Sequence, residues 1–182
     1  MKKDILVVFG IGDTFCSPAS KRCIRKGKTG PELAKDVQDT VNTGEFFGYI
    51  NVTEPADTNA DINAFSSVQD SRVINVKLCS DSMFNINNQI SIQESVEVAD
   101  RGEVILNGDQ LDHVLPPSQY TLTVAGIDIN GVFNKFVDEA IAKGYAVTVL
   151  SDKIKPFGKE TINRIMDRSK SGALQFRKFK NA

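Results

Sequence analysis

YTLTVAGIDINGVFNKFVDEAIAKGYAVTVLSD, residues 120–152, is the stretch from which the fold can be read. Tyr120–Ala125 is a short apolar run, and so is Tyr145–Leu150. Runs of this length bounded by turn residues read as strands buried on both faces. Between them, Asn130–Lys143 places Val132, Phe133, Phe136, Val137, Ala140 and Ile141 along one helical face. Gly144 then stands where a left-handed C-terminal cap is needed. Strand, helix and strand in this order make a βαβ unit, whose two strands lie parallel in one sheet.

The same signals recur outward from this unit. Ile5–Phe9 (ILVVF), Val73–Leu78 and Glu103–Leu106 read as further buried strands, and 173–179 as a weaker edge strand. Tyr49–Thr53 reads either as one more short strand or as an extended loop. Pro31–Asn42 begins with proline in its first turn and spaces Leu33, Val37 and Val41 four apart, as a helix requires. Ala60–Val68 and Lys159–Arg168 are two further helices. The pattern predicts an α/β fold with three αβα layers. Its sheet has six mostly parallel strands near 4–9, 73–78, 103–106, 120–125, 145–150 and 173–179. Ligands of such sheets bind beyond the carboxyl ends of the strands, so the residues after each strand carry the functional question.

Composition narrows the class. The chain of 182 residues fits a single domain spanning 1–182, with a core of ordinary size. A net charge of −1 argues against nucleic-acid binding through overall charge. The charge is uneven, however, because Lys21, Arg22, Arg25, Lys26 and Lys28 crowd into eight residues. Cys16, Cys23 and Cys79 form an odd set without CxxC spacing, which predicts neither a disulfide framework nor a metal site. The opening apolar run is too short for a signal peptide, and no run approaches a membrane span. A cytoplasmic protein is expected.

Motifs that resemble known chemistry fall short of it. Gly10-Ile11-Gly12-Asp13-Thr14-Phe15 follows the first strand, yet Phe15 stands where a dinucleotide-binding loop needs its third glycine. Gly27-Lys28-Thr29 looks like the end of a phosphate-binding loop, but Arg22 occupies its first glycine position. His113 is the single histidine, so a metal site built on paired histidines is not expected. Cys79 ends a strand at the edge where chemistry occurs; it reads as a nucleophile only if a base or positive charge lowers its pKa, and otherwise as a small core residue.

The quoted stretch resembles the isochorismatase-like (nicotinamidase-related) cysteine hydrolases. Gly126 in the turn after the strand, the helix through Ala140, Gly144-Tyr145 and Asp152 all match that pattern, and DILVVFGIGDTFC (4–16) is similar to the family's opening strand. The resemblance covers about 4–16 and 44–180, leaving 17–43 as a basic loop-helix insertion. It implies a strand order of 3-2-1-4-5-6. It also implies a catalytic Asp after the first strand, a Lys after a middle strand and a nucleophilic Cys at the helix start. Those positions fall on Gly10, Asn107 and Val132 (Gly131 if the turn is one residue shorter). The Asp-x-His of the family's metal site becomes Asp81-Ser82-Met83.

These residues predict a divergent member without the catalytic triad. It would act by binding a protein partner or a small ligand, as a homo-oligomer, with no cofactor, no metal and no membrane or nucleic-acid partner. The vestigial pocket would be Gly10, Asp13, Asp81, Asn107, Gly131 and Val132. The basic residues from Lys21 to Lys28 would form a contact surface. Two alternatives stand beside this expectation: a hydrolase rebuilt at the same strand ends around Cys16, Cys79 and His113, and a structural subunit of a larger assembly.

Overall fold

The computed structural model describes residues 1–12, 16–17, 29–53, 64–65, 68, 73–78, 82–85, 88–92, 104–105, 111–127, 132–155, 159–170, 172 and 174–179. The first strand, β1 (Lys3–Phe9), is buried from Ile5 onward. Its unbroken apolar run is what a strand covered on both faces requires. It pairs in parallel with β2 (Gly48–Thr53) on one side and with β6 (Tyr120–Ile127) on the other. Outward from β2 lie β3 (Val73–Lys77), β4 (Gln89–Ile92) and β5 (Val104–Ile105). Outward from β6 lie β7 (Val147–Lys155) and β8 (Leu174–Arg177).

Among the described residues the sheet therefore runs β5-β4-β3-β2-β1-β6-β7-β8. Its six central strands, β3 to β8 in that sequence, are parallel, and numbered among themselves their order is the expected 3-2-1-4-5-6. β4 and β5 extend one edge in the antiparallel sense.

The order stands, but two segments hold different places in it. The second position belongs to Gly48–Thr53, the stretch left open between strand and loop, and Val73–Lys77 takes the third. Of residues 103–106 the described Val104–Ile105 form β5, beyond β4. The reason is that the β2 sequence GYINVT, though buried at every residue, carries polar Asn51 and Thr53, which dilute its apolar signal. β4 is four residues of QISI, too short and too polar to announce itself.

Helix α1 (Gly30–Asn42) connects β1 to β2, as a parallel pair demands. Thr29 caps it: its hydroxyl accepts from the Glu32 amide at 3.3 Å, and the Glu32 carboxylate accepts from the Thr29 amide at 2.7 Å. A cap of this kind contributes about 1 kcal/mol. Of Gly27-Lys28-Thr29 only Thr29 is among the described residues, as this cap. Leu33, Ala34, Val37 and Val41 pack beneath α1 with Leu6 and Val8, each fully buried Leu or Val stabilising by about 1.5–3 kcal/mol. The helical half of the expected insertion is therefore the crossover that covers this face, while residues 18–28 lie outside the described residues.

The opposite face is covered by α3 (Val132–Ala142), which follows the short α2 (Leu111–Val114) and β6. At the end of α3, Gly144 has φ 92°, the Tyr145 amide donates to Ala140 O and the Gly144 amide to Ile141 O. This is the left-handed cap expected of Gly144. α4 (Lys159–Lys170) leads into β8. Ala64, Phe65 and Val68 are the described part of the expected Ala60–Val68 helix, and they pack on the α1 face. No helix among the described residues is long and apolar enough to cross a membrane.

Candidate functional site

At the carboxyl edge β1 and β6 approach more closely than side chains allow. Gly126, opposite Phe9, has φ 109°, and a Cβ there would sit 2.1 Å from the Phe9 carbonyl oxygen. Gly10 follows with φ 65° and donates its amide to Val52 O at 3.0 Å, tying the ends of β1 and β2 together. α3 opens just beyond, with Val132 3% exposed.

Aromatic rings pack between the sheet and α3. Phe9 meets Phe133 edge-on at 5.6 Å between centroids and Phe136 at 5.3 Å. Phe84 stacks on Phe136 at 5.8 Å and on Tyr145 at 6.2 Å. Such pairs add about 0.5–1.5 kcal/mol each beyond the area they bury. Met83, fully buried, belongs to the same cluster as Val132 and Phe133. Ser82 ties this loop to α3: its hydroxyl donates to Glu139 Oε2 at 2.6 Å and accepts the Phe84 amide at 3.2 Å.

Thirty-five solved chains match this structure. An isochorismatase-like hydrolase from Alkaliphilus metalliredigens superposes with a TM-score of 0.65 at 17% identity, covering 97% of this chain and 94% of the other. The nicotinamidase of Staphylococcus aureus gives 0.66 at 11% identity, over 98% and 100%. N-carbamoylsarcosine amidase from Thermoplasma acidophilum gives 0.63 at 11%, over 98% and 96%. The chain has the isochorismatase-like fold. No family model matches its sequence, and no curated protein sequence does either.

Within the isochorismatase-like fold, two of the six expected pocket residues fall among the described residues. Gly10 closes the β1 turn, and Val132 opens α3 inside the aromatic cluster. Asp13, Asp81, Asn107 and Gly131 lie outside the described residues, as do Cys79 and the basic residues Lys21, Arg22, Arg25, Lys26 and Lys28. Among the described residues no three His, Cys, Asp or Glu side chains come together to hold a metal ion.

The rebuilt-site residues that are described do not meet. Cys16 is fully buried on the α1 face, its thiol 3.7 Å from Gly10 O at the carboxyl edge. His113 is exposed on α2, which leads into the first residue of β6 at the amino edge. Six residues of β6 separate Tyr120 from Gly126, about 20 Å at ~3.3 Å per residue. Beside His113, Asp112 forms an ion pair with Lys143 at 3.0 Å. The Tyr145 hydroxyl donates to Leu115 O; burial, then the charge of Asp112, pushes its pKa well above the ordinary tyrosine range.

Polar residues not singled out in the sequence, among them Asn51, Thr53 and Lys153, are buried on the α1 face. Strand alternation puts Asn51 and Thr53 on the side of Tyr49, which belongs to the α1-face cluster. Asn51 is 3% exposed; its amide donates to Asn75 Oδ1 at 3.3 Å, while its own Oδ1 accepts no hydrogen bond among the described residues. Lys153, 6% exposed, sits near the end of β7.

Proposed function

We propose that this chain is a non-catalytic protein of the isochorismatase-like fold, which works by binding a protein partner or a small ligand and assembles as a homo-oligomer. The observation that carries this reading is the burial of Val132, 3% exposed, in the same core cluster as Phe9, Phe133 and Phe136. By resemblance the helix start should present a thiol there. A valine side chain cannot attack a carbonyl. Cys16 and His113, held at opposite edges of the sheet, do not form a substitute nucleophile–base pair.

The test is hydrolysis of nicotinamide by the purified chain and by its Cys16→Ser and Cys79→Ser variants. The expected result is no turnover above the buffer blank for any of them. Turnover at an enzymatic rate, lost on changing either cysteine, would replace this reading with a rebuilt hydrolase. Light scattering at micromolar concentration tests assembly, with a dimer or larger species expected. Neutralising Lys21, Arg22, Arg25, Lys26 and Lys28 together should slow association in a salt-dependent way if they form the contact surface.

A further inference from the structure

We infer that the open edge of β8 is a docking site for an extended acidic segment of a partner protein, which adds to the sheet as one more strand. The inference deepens the protein-partner arm of the proposed function and rests on it.

The backbone supplies the first reason. β8 is the last strand of the sheet and, among the described residues, pairs with β7 alone. An edge strand leaves a row of N–H and C=O groups unpaired, and such a row is a template for a further strand. At the opposite end of the sheet the terminal pairs are antiparallel and β5 is shorter than β8, so β8 offers the longer rim. Strand addition takes its affinity from main-chain hydrogen bonds and its specificity from the side chains that flank the rim.

Those flanks differ, and together they specify the occupant. Alternation along β8 sends Leu174 and Phe176 to the α3 face, where both pack on its core, and Gln175 and Arg177 to the other. Arg177 is exposed, and its guanidinium lies 5.6 Å from the ring centroid of Phe179, which belongs to the α1-face cluster. Lys178 beside it is exposed as well. On the α3 face, α4 packs on β8 and is tied to α3 by the ion pair of Arg168 with Asp138. Met166 stands two positions before Arg168, about 200° around the helix, and so faces away from α3 and out over the rim. It is 50% exposed. An added strand therefore meets apolar Phe176 and Met166 on one side and positive charge on the other. The segment that fits alternates apolar and acidic residues. A second copy of β8 would bring the same positive charges across the rim, which selects against it and for an acidic partner.

The probe is a fluorescein-labelled peptide of about six residues that alternates valine and glutamate, titrated with the full chain and followed by fluorescence anisotropy. The same peptide with lysine in place of glutamate is the control. The valine–glutamate peptide should bind saturably and the valine–lysine peptide should not. Arg177→Glu should weaken binding about tenfold, and Met166→Gln about threefold; both side chains are exposed, so the fold tolerates the changes. Amide hydrogen exchange over Leu174–Arg177 should slow in the complex, because added main-chain bonds protect the rim. No saturable binding, equal binding of the lysine peptide, unchanged affinity in Arg177→Glu, or binding that leaves β8 exchange unaltered overturns the site. A wild-type oligomer that Arg177→Glu dissociates in light scattering overturns it too, since the occupant would then be a second copy. Failure here leaves the hydrolysis result as it stands, and turnover of nicotinamide leaves the peptide result as it stands, so the two failures are told apart.

Discussion

The two faces of the sheet are filled with different chemistry. On the α3 side Phe9, Phe84, Phe133 and Phe136 pack together. On the α1 side β2 and β7 bury Asn51, Thr53 and Lys153; among the described residues Asn51 Oδ1 accepts no hydrogen bond, and Lys153 Nζ pairs with Asp152 Oδ2 at 3.8 Å. Buried rings are satisfied by packing alone, whereas buried polar groups create a demand that something must meet. The difference teaches which face depends on polar partners: the one across the sheet from the helix that opens at Val132.

The comparison breaks most severely if the strands themselves part. Gly126→Ala should destabilise the fold by about 3–5 kcal/mol, from a positive φ and a Cβ set against Phe9 O, read as the midpoint of urea unfolding. Both faces should fail together, since β1 and β6 serve both.

Next come substitutions that touch one face. Phe136→Ala removes a fully buried ring that meets both Phe9 and Phe84, and should cost about 3–5 kcal/mol by the same measurement. Val37→Ala, equally buried under α1, deletes far less volume and should cost about 1–2 kcal/mol. Equal losses would mean that the aromatic packing is looser than its ring geometry implies.

A smaller effect is tied to alkaline pH. Because the folded-state pKa of Tyr145 is raised, the folded state holds the proton longer than the unfolded one. The associated stability is intact below the ordinary tyrosine value of about 10 and falls as pH rises above it, by up to about 1.4 kcal/mol per pH unit. Tyr145→Phe should flatten that decline while costing about 1 kcal/mol at pH 7 for the lost bond to Leu115 O. An unchanged alkaline slope would show that another group sets it.

The smallest effect probes the polar face. Asn51→Leu replaces a half-satisfied amide by an apolar side chain of similar size, and should change stability by no more than about 1 kcal/mol. A loss above about 2 kcal/mol would mean that the Asn51 acceptor is satisfied in solution, sharpening the view that this face depends on polar partners.

Local patterns made the β6–α3–β7 unit legible in the sequence, because each piece carries its own signal. Two apolar runs, a helical stripe and a glycine cap sit within one contiguous stretch. β2 was ambiguous since Asn51 and Thr53 break its apolar run, and β4 went unread since four residues give a periodicity nothing to repeat. The site divides the same way. Val132 at the start of a helix could be placed from the pattern, and its burial follows from the stripe it begins. Lys153 could not, because its burial depends on a register slip between β6 and β7 that exists only once the strands pair. Cys16 and His113 looked like potential partners in sequence, and the direction of β6 put them at opposite ends.

The central position of β1 also sets the order in which the chain can be assembled. Tyr120 lies opposite Lys3, 117 positions further along (120 − 3). At a synthesis rate of about 5–20 residues per second, β1 waits roughly 6–23 s for that neighbour, with an apolar ladder open to any stray strand. β2 arrives far sooner, so one flank is covered early and the other stays open. Closing so long a loop makes this pairing a slow step of folding. A nascent chain stalled before Tyr120 is therefore the form of this protein most in need of a chaperone.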